Sequence, residues 1–444
     1  MKNYELKIRS LNNATTCFSY NEESIIVDPW IVGNLYENTW SPTALMQDLS
    51  FLKNVSKVII SHLHEDHWDI ESIKHLNKDT EFHIPDLKLN FIISNKLIEL
   101  GYLNIFKHKI NKTVQISKNF KLKFIEPLNT FGQEIGKYID GYETSATNID
   151  CGILINHIDT QSNHLLLCDN TPYDHLRLKE VLKKEHINSL WYPYNGYAQD
   201  YPLCYDNLNL KEKRDISLKM SLKREEYIVK TIKEISPDYT FPHSSDFILN
   251  TRREEFFKVH SNEFMERKLY HKRLQKKLDE LNIKSISQFL NISDEALFVD
   301  NKFLIERNKY ELKKIINLPE KQNNKIDIEI SNIEKLLEKS VSGMFERIKR
   351  FNIKTETSLN EWLLQINLEN FSYYIDFSQK KTLKSLDTNN RKILSLEIDK
   401  LTLYKLLNRE LHWDNAQIAC ILNWRRNPNI FNESLIRSIN FLHN

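Results

Sequence analysis

Three imidazoles and the Asp66 carboxylate fall within six residues of Ser61-His62-Leu63-His64-Glu65-Asp66-His67. His62 and His64 are two apart, so in extended backbone their side chains leave on the same side. Asp66 and His67 follow where the chain turns toward a helix, aimed at a neighbouring point. Such a group can give two ligands to one metal ion and two to another about 3.5–4 Å away, the spacing of two-metal sites. The alternative is a polar loop with histidines by chance. An H-x-H-x-D-H order directly after the apolar run Val58-Ile59-Ile60 argues against it.

That run reads as a buried strand that empties into the ligand loop. Upstream, residues 4–10 and 15–20 alternate like a hairpin. Residues 23–27 lead into Asp28-Pro29-Trp30, where Asp28 either orients a ligand imidazole or starts a turn before proline. Helices are expected over 69–77 and 89–101, the latter ending at Gly101 in a C-cap position. Strands over 120–125 and 150–155 flank the loop Ile139-Asp140-Gly141-Tyr142-Glu143-Thr144-Ser145. The apolar run from Leu165 ends at Asp169, which places that carboxylate at the same edge as His62. Residues 190–202 carry five aromatics with Asn195, Gln199 and two prolines. Tyr194, Asn195, Tyr197 and Tyr201 there suit a substrate-facing loop, and a rigid turn under the core is the competing reading. A helix over 222–235 leads to a short strand ending at His243.

Beyond residue 250 a long charged helix is expected over 253–282, with Arg267, Arg273 and Lys277 on a solvated face. Helices continue over 293–350. From residue 359 the pattern becomes α+β, with paired strands over 362–368 and 373–377 and a final helix after Arg425-Arg426-Asn427-Pro428. The expected division is 1–255 for a catalytic domain, 256–350 for a helical extension and 351–444 for a small α+β domain.

The 444 residues carry 62 Lys+Arg against 60 Asp+Glu, so no strong field points to nucleic acid or a membrane surface. No apolar run approaches the ~20 residues that span a bilayer, and the first residues lack a signal-peptide core. Five scattered cysteines without a Cys-x-x-Cys pair fit reduced thiols in the cytoplasm.

The loop with its flanking strands resembles the metallo-β-lactamase superfamily through most of the first 250 residues. The resemblance implies an α/β fold, an αββα sandwich followed by a helical and α+β C-terminal region. It also implies a dinuclear site held by His62, His64, Asp66, His67, Asp169 as metal-bridging carboxylate, and His243. The superfamily places a third histidine just before the strand at 150–155, but no histidine occurs between His108 and His157. Glu143 is the best replacement, with Asp140 and Asp150 as rivals. A carboxylate there makes the site harder, which shifts the balance from zinc toward iron or manganese. Asp66 and Asp169 are the expected catalytic residues.

Asp28-Pro29-Trp30, the Ser61–Asp69 loop, Asp140-Gly141-Tyr142, Asp150-Cys151, Tyr201-Pro202 and Leu411-His412-Trp413-Asp414 are similar to CMP-N-acetylneuraminate hydroxylase and its bacterial relatives. The ligand types resemble those of the diiron β-hydroxylases. The hydroxylase family receives electrons through a Rieske centre, which needs two Cys-x-His pairs; this sequence has none. The resemblance therefore implies a diiron monooxygenase acting on a sugar nucleotide or sugar-like small molecule with a separate electron donor. A zinc or manganese hydrolase, a lactonase or phosphodiesterase, is the rival expectation. No nucleic acid or membrane partner is expected, and a homodimer is one of the oligomeric states the sequence leaves open.

Overall fold

The computed structural model describes residues 5–127, 149–167, 175–183, 185–194, 200–244, 246–313, 328–350, 357–368, 371–384 and 391–444. Two sheets face each other. The first has eight strands in the order Lys302–Glu306, Glu295–Val299, Leu6–Asn12, Thr15–Tyr20, Glu23–Val27, Lys57–Ile59, Glu81–Pro85 and Ile105–His108. The second has seven, Ile286–Ser287, Tyr239–His243, Ser189–Pro193, Ser162–Leu166, Gly152–His157, Phe120–Ile125 and Thr113–Gln115.

Strand alternation builds the layers. Ile25, Val27 and Ile59 of the first sheet meet Phe124, Ile153, Leu166, Trp191 and Phe241 of the second in one buried core. Ile26, Val58 and Ile60 point the other way, toward Ile93 and Leu97 of the helix Phe91–Glu99. On the far side, Leu154, Leu165 and Leu190 pack under the helices His175–Leu182, Leu210–Ile235 and Arg267–Glu280. The result is the expected αββα sandwich.

Glu23–Val27, Lys57–Ile59, Glu81–Pro85 and Ile105–His108 run parallel. So do Ser162–Leu166, Ser189–Pro193 and Tyr239–His243. Parallel strands bring their carboxyl ends to one edge, where open α/β sheets place their sites. Asp28, the His62 loop and His243 all follow such ends. Gly152–His157 is antiparallel to Ser162–Leu166, with Ile153 opposite Leu166, so Asp150 arrives at the same edge.

The stretch beyond 250 departs from its sequence reading. The predicted helix over 253–282 is three helices, Arg253–Val259, Asn262–Met265 and Arg267–Glu280. Residues 286–306, inside the expected helical extension, supply strands to both sheets, so the sandwich does not stop at residue 255. Their short alternation has meaning only once an open sheet edge is there to pair with. The described helix Ile330–Arg350 packs against a five-stranded sheet in the order Lys381–Leu383, Phe371–Asp376, Trp362–Leu368, Lys392–Glu397 and Asn423–Asn427. That C-terminal sheet shares one apolar core with Trp30, Trp40 and Phe247 of the sandwich.

The charged face is also not all solvated. Arg267 is 5% exposed. Its guanidinium donates to Ser10 Oγ, Leu290 O and Asn13 O at 2.7–2.9 Å and is ion-paired with Asp246. Arg273 and Lys277 close on the fully buried Glu225 at 2.6 and 2.7 Å. Interleaved Glu and Asp hide such residues in the sequence, because a buried cation and a solvated one read alike until their partners are known. Breaking a buried pair leaves an uncompensated charge. Arg267→Met is therefore expected to cost about 3–5 kcal/mol in urea unfolding; a loss of about 0.5 kcal/mol, the ordinary surface range, would contradict this account.

Candidate metal centre

Lys57–Ile59 ends and the chain loops through Ser61 to a short 3₁₀ turn, Glu65–His67, before the helix Ile70–Ile73 capped by Asp69. The helix is shorter than the predicted 69–77. His62 and His67 are fully buried, and His64 is partly exposed. His62 Nε2 lies 2.9 Å from His64 Nδ1 and 3.4 Å from Asp150 Oδ1. One ligand atom from each of His62, His64 and Asp150 falls within 4.8 Å of the others. Two imidazoles and a carboxylate converging on one point are a donor set suited to a divalent transition metal. A second pair lies alongside, with Asp66 Oδ2 3.3 Å from His67 Nε2.

The residues behind these groups fix which nitrogen faces the cluster. Asp28 takes its first sequence role, orienting an imidazole. Its carboxylate accepts the Ser61 N–H at 2.7 Å, the Ser61 hydroxyl at 2.7 Å and His67 Nδ1–H at 2.8 Å. Because the Ser61 hydroxyl donates to Asp28, it accepts from His62 Nδ1–H at 2.8 Å. Both rings thus carry their proton on Nδ1 and turn Nε2 toward the cluster, the tautomer a ligating histidine needs. Asp66 is held by the Tyr36 hydroxyl at 2.6 Å and the Asn13 amide at 2.9 Å.

Burial pushes His62 well below the ordinary histidine range, helped by the neighbouring His67 and His64. A neutral imidazole is the ligating form. Burial lowers His64 as well, but Asp414, Asp150 and Asp66 outweigh it and bring His64 to about 9. These three carboxylates around the loop thus make a pocket that favours cationic charge.

His243 ends its strand at the same edge, 3% exposed, edge-on to Trp191 with ring centroids 5.8 Å apart. The next residue, Ser244, donates its N–H to Asn13 O at 3.1 Å, which ties His243 to the turn that also holds Asp66. Asp169, Glu143 and Asp140 lie outside the described residues, as do Asn195 and Tyr197. Two of the expected substrate contacts, Tyr194 and Tyr201, are buried. The Tyr194 ring is fully buried, and its hydroxyl donates to Asp246 Oδ1 and Met265 O at 2.9 and 2.8 Å. Tyr201, 1% exposed, lies in the core beneath the Arg426 guanidinium. Both rings are buried in the packing of the fold.

Sequence reasoning did not assign roles to Asn13, Tyr36, Asp414 or Asn415. Asp414 lies in a stretch of resemblance that gave it no role, and each of the four reaches the loop only through the folded chain.

The layer order and the position of the ligand loop decide the fold. This is a metallo-β-lactamase fold. No family model matches the sequence. A Rieske 2Fe–2S iron–sulfur protein of Mycobacterium tuberculosis is 31% identical over 110 residues, 23% of this chain and 20% of its own length. The match thus spans about a fifth of the curated relatives. Among solved structures, the diiron β-hydroxylase CmlA of Streptomyces venezuelae is similar over 67% of this chain and 55% of its own, at 13% identity and a TM-score of 0.42. An isothiocyanate hydrolase from Delia radicum gut bacteria is similar over 65% of this chain and 98% of its own, at 14% identity and a TM-score of 0.43. Among the described residues no helix is long and apolar enough to cross a membrane.

Among the described residues, Asp150 is the carboxylate that shares a ligand cluster with His62 and His64. Asp150→Ala is expected to remove one metal equivalent from dialysed protein, read by elemental analysis, with the far-ultraviolet spectrum unchanged. Retention of the full metal content would assign that ligand elsewhere.

Proposed function

We propose that this chain is a dinuclear-metal enzyme, and specifically a non-haem diiron oxygenase that hydroxylates a nucleotide-linked or sugar-like small molecule. The observation that carries the reading is a carboxylate, Asp150, beside His62 and His64, in the place where hydrolases of this fold use a third histidine. Replacing a neutral imidazole by a carboxylate adds negative charge and oxygen donation, which suits iron more than zinc.

His62, His64 and Asp150 would hold one ion, and Asp66, His67 and His243 with Asp169 the other. When bound, two irons supply redox chemistry with O₂ that no side chain can. Asp28 and Ser61 keep the imidazoles at a fixed angle, so that the ligands do not reorganise when charge changes. Tyr36 and Asn13 each donate to Asp66, spreading its negative charge and fixing its oxygens. Burial of His62, Asp66 and His67 keeps bulk water from the ligand atoms. This division of labour fits a chain whose sandwich carries the ions and whose C-terminal sheet closes one side.

Electrons would come from a centre outside these residues, because the sequence has no Cys-x-His pair. The name of the mycobacterial relatives points to the donor class, a Rieske iron–sulfur protein. The missing pair is also the observation that favours a second reading, a zinc or manganese hydrolase, which needs no donor. Both readings put a pair of ions on the same ligands and differ in which metal they are.

Protein purified without air should contain two irons per chain and consume O₂ when given a chemical reductant, as read by elemental analysis and an oxygen electrode. His62→Ala should abolish both. Zinc as the sole bound metal, with ester or phosphodiester turnover in air-free buffer, would replace the oxygenase by the hydrolase.

A further inference from the structure

The outer nitrogens of the three histidines are not served alike. His62 Nδ1 and His67 Nδ1 find Ser61 and Asp28 within the sandwich. His64 presents Nδ1 to the ligand cluster and turns Nε2 outward, where Asp414 Oδ2 lies 3.8 Å away. Asp414 belongs to the C-terminal part of the chain, 350 residues further on. Its neighbour Asn415 donates through its amide to Glu65 Oε1 at 2.6 Å. Glu65 accepts the Tyr36 N–H through its other oxygen at 3.1 Å, and the Tyr36 hydroxyl holds Asp66. One short helix, Trp413–Ile418, thus touches both halves of the ligand loop.

The helix is not free to drift. Trp40 Nε1 donates to Ile418 O at 3.0 Å, and Lys405 pairs with Glu37 at 2.7 Å. Trp424 N donates to Cys204 O at 2.8 Å, and Trp424 O accepts from Asp206 N at 2.8 Å. These contacts frame the helix on two sides.

We infer that the C-terminal region is part of the metal centre, with Asp414 as the positioning carboxylate for His64 and Asn415 as its counterpart for Glu65. The inference rests on the metal reading of His62 and His64. A carboxylate behind a ligand imidazole fixes its tautomer and ring angle and raises its basicity, and its loss weakens metal binding by about 10–100-fold. Asp414 adds negative charge at the ion that His62, His64 and Asp150 would share. The Asn415–Glu65–Tyr36–Asp66 chain of hydrogen bonds carries the same docking contact toward the second ion. A C-terminal region that shifted from its seat would loosen both sets of ligands.

Metal-stripped wild type, Asp414→Asn, Asp414→Glu and His64→Ala are titrated with Co²⁺, reading its visible absorption, with near-ultraviolet circular dichroism to report the fold. Asp414→Asn keeps the shape of a side chain that is 38% exposed, so folding is expected to survive. The expected result is a loss of about 10–100-fold in affinity confined to one cobalt equivalent, partly restored in Asp414→Glu. A contact that merely holds the fold would weaken both equivalents alike or neither, and either pattern would overturn the inference. Wild-type affinity in Asp414→Asn, with an equivalent lost in His64→Ala, would overturn it while leaving the metal reading intact. Wild-type binding in His64→Ala as well would remove that reading and the inference with it.

Discussion

The buried carboxylate of Asp28 is the group on which the centre hangs. It is 1% exposed and accepts from the Ser61 N–H, the Ser61 hydroxyl and His67 Nδ1. A carboxylate out of water is costly unless each lone pair finds a donor, and here the donors belong to the loop that carries the ligands. The demand of one buried charge therefore sets the conformation of that loop. Asp28 adopts a left-handed backbone, φ 50°, which a short polar side chain tolerates better than most. The conformation turns the chain from Glu23–Val27 toward Trp30 while the carboxylate stays beside the end of Lys57–Ile59.

The second constraint joins the two sheets. The turn at Asn13 gives its carbonyl to Ser244 N and Arg267, its amide oxygen to Asp246 N, and its amide nitrogen to Asp66. The end of Tyr239–His243 in one sheet and the ligand loop of the other are thereby referred to a single side chain. Arg267, Asp246 and the Tyr194 hydroxyl surround that turn. A polar network of this kind rigidifies when it is satisfied and is costly when one member is removed. Its aromatic member, Tyr194, is tied into this network through its hydroxyl.

The C-terminal sheet adds a third layer of control. Its core merges with Trp30, Trp40 and Phe247, and the Trp40 ring stacks on Phe247 at 3.6 Å. Aromatic burial of this extent makes the docking a packing interface and not a tether. The metal loop therefore has one face formed by the sandwich and one by residues near the end of the chain.

Much of this was legible in the sequence, because its signals are local. The β-branched run before Ser61, the spacing of His62, His64, Asp66 and His67, the hairpin of the first strands and the paired strands from Trp362 each follow from period and residue type. Asp28 was readable as an orienting group from its place after an apolar strand. The rest depended on contacts between residues far apart. The residues at 286–306 became strands because two sheet edges stood open to receive them. Arg267 became a core residue because Asp246 and the Asn13 carbonyl are there. Asp150 stood among three carboxylates in the sequence and beside His62 only in the fold, since strand register and not spacing brings it there. Asp414 lies 350 residues from His64, and no periodicity reaches that far. The sequence by itself determined which side chains could hold a metal, since that is a property of residue type and near neighbours. Only the tertiary structure decided which of them meet, since that depends on how layers stack and which buried charges must be answered.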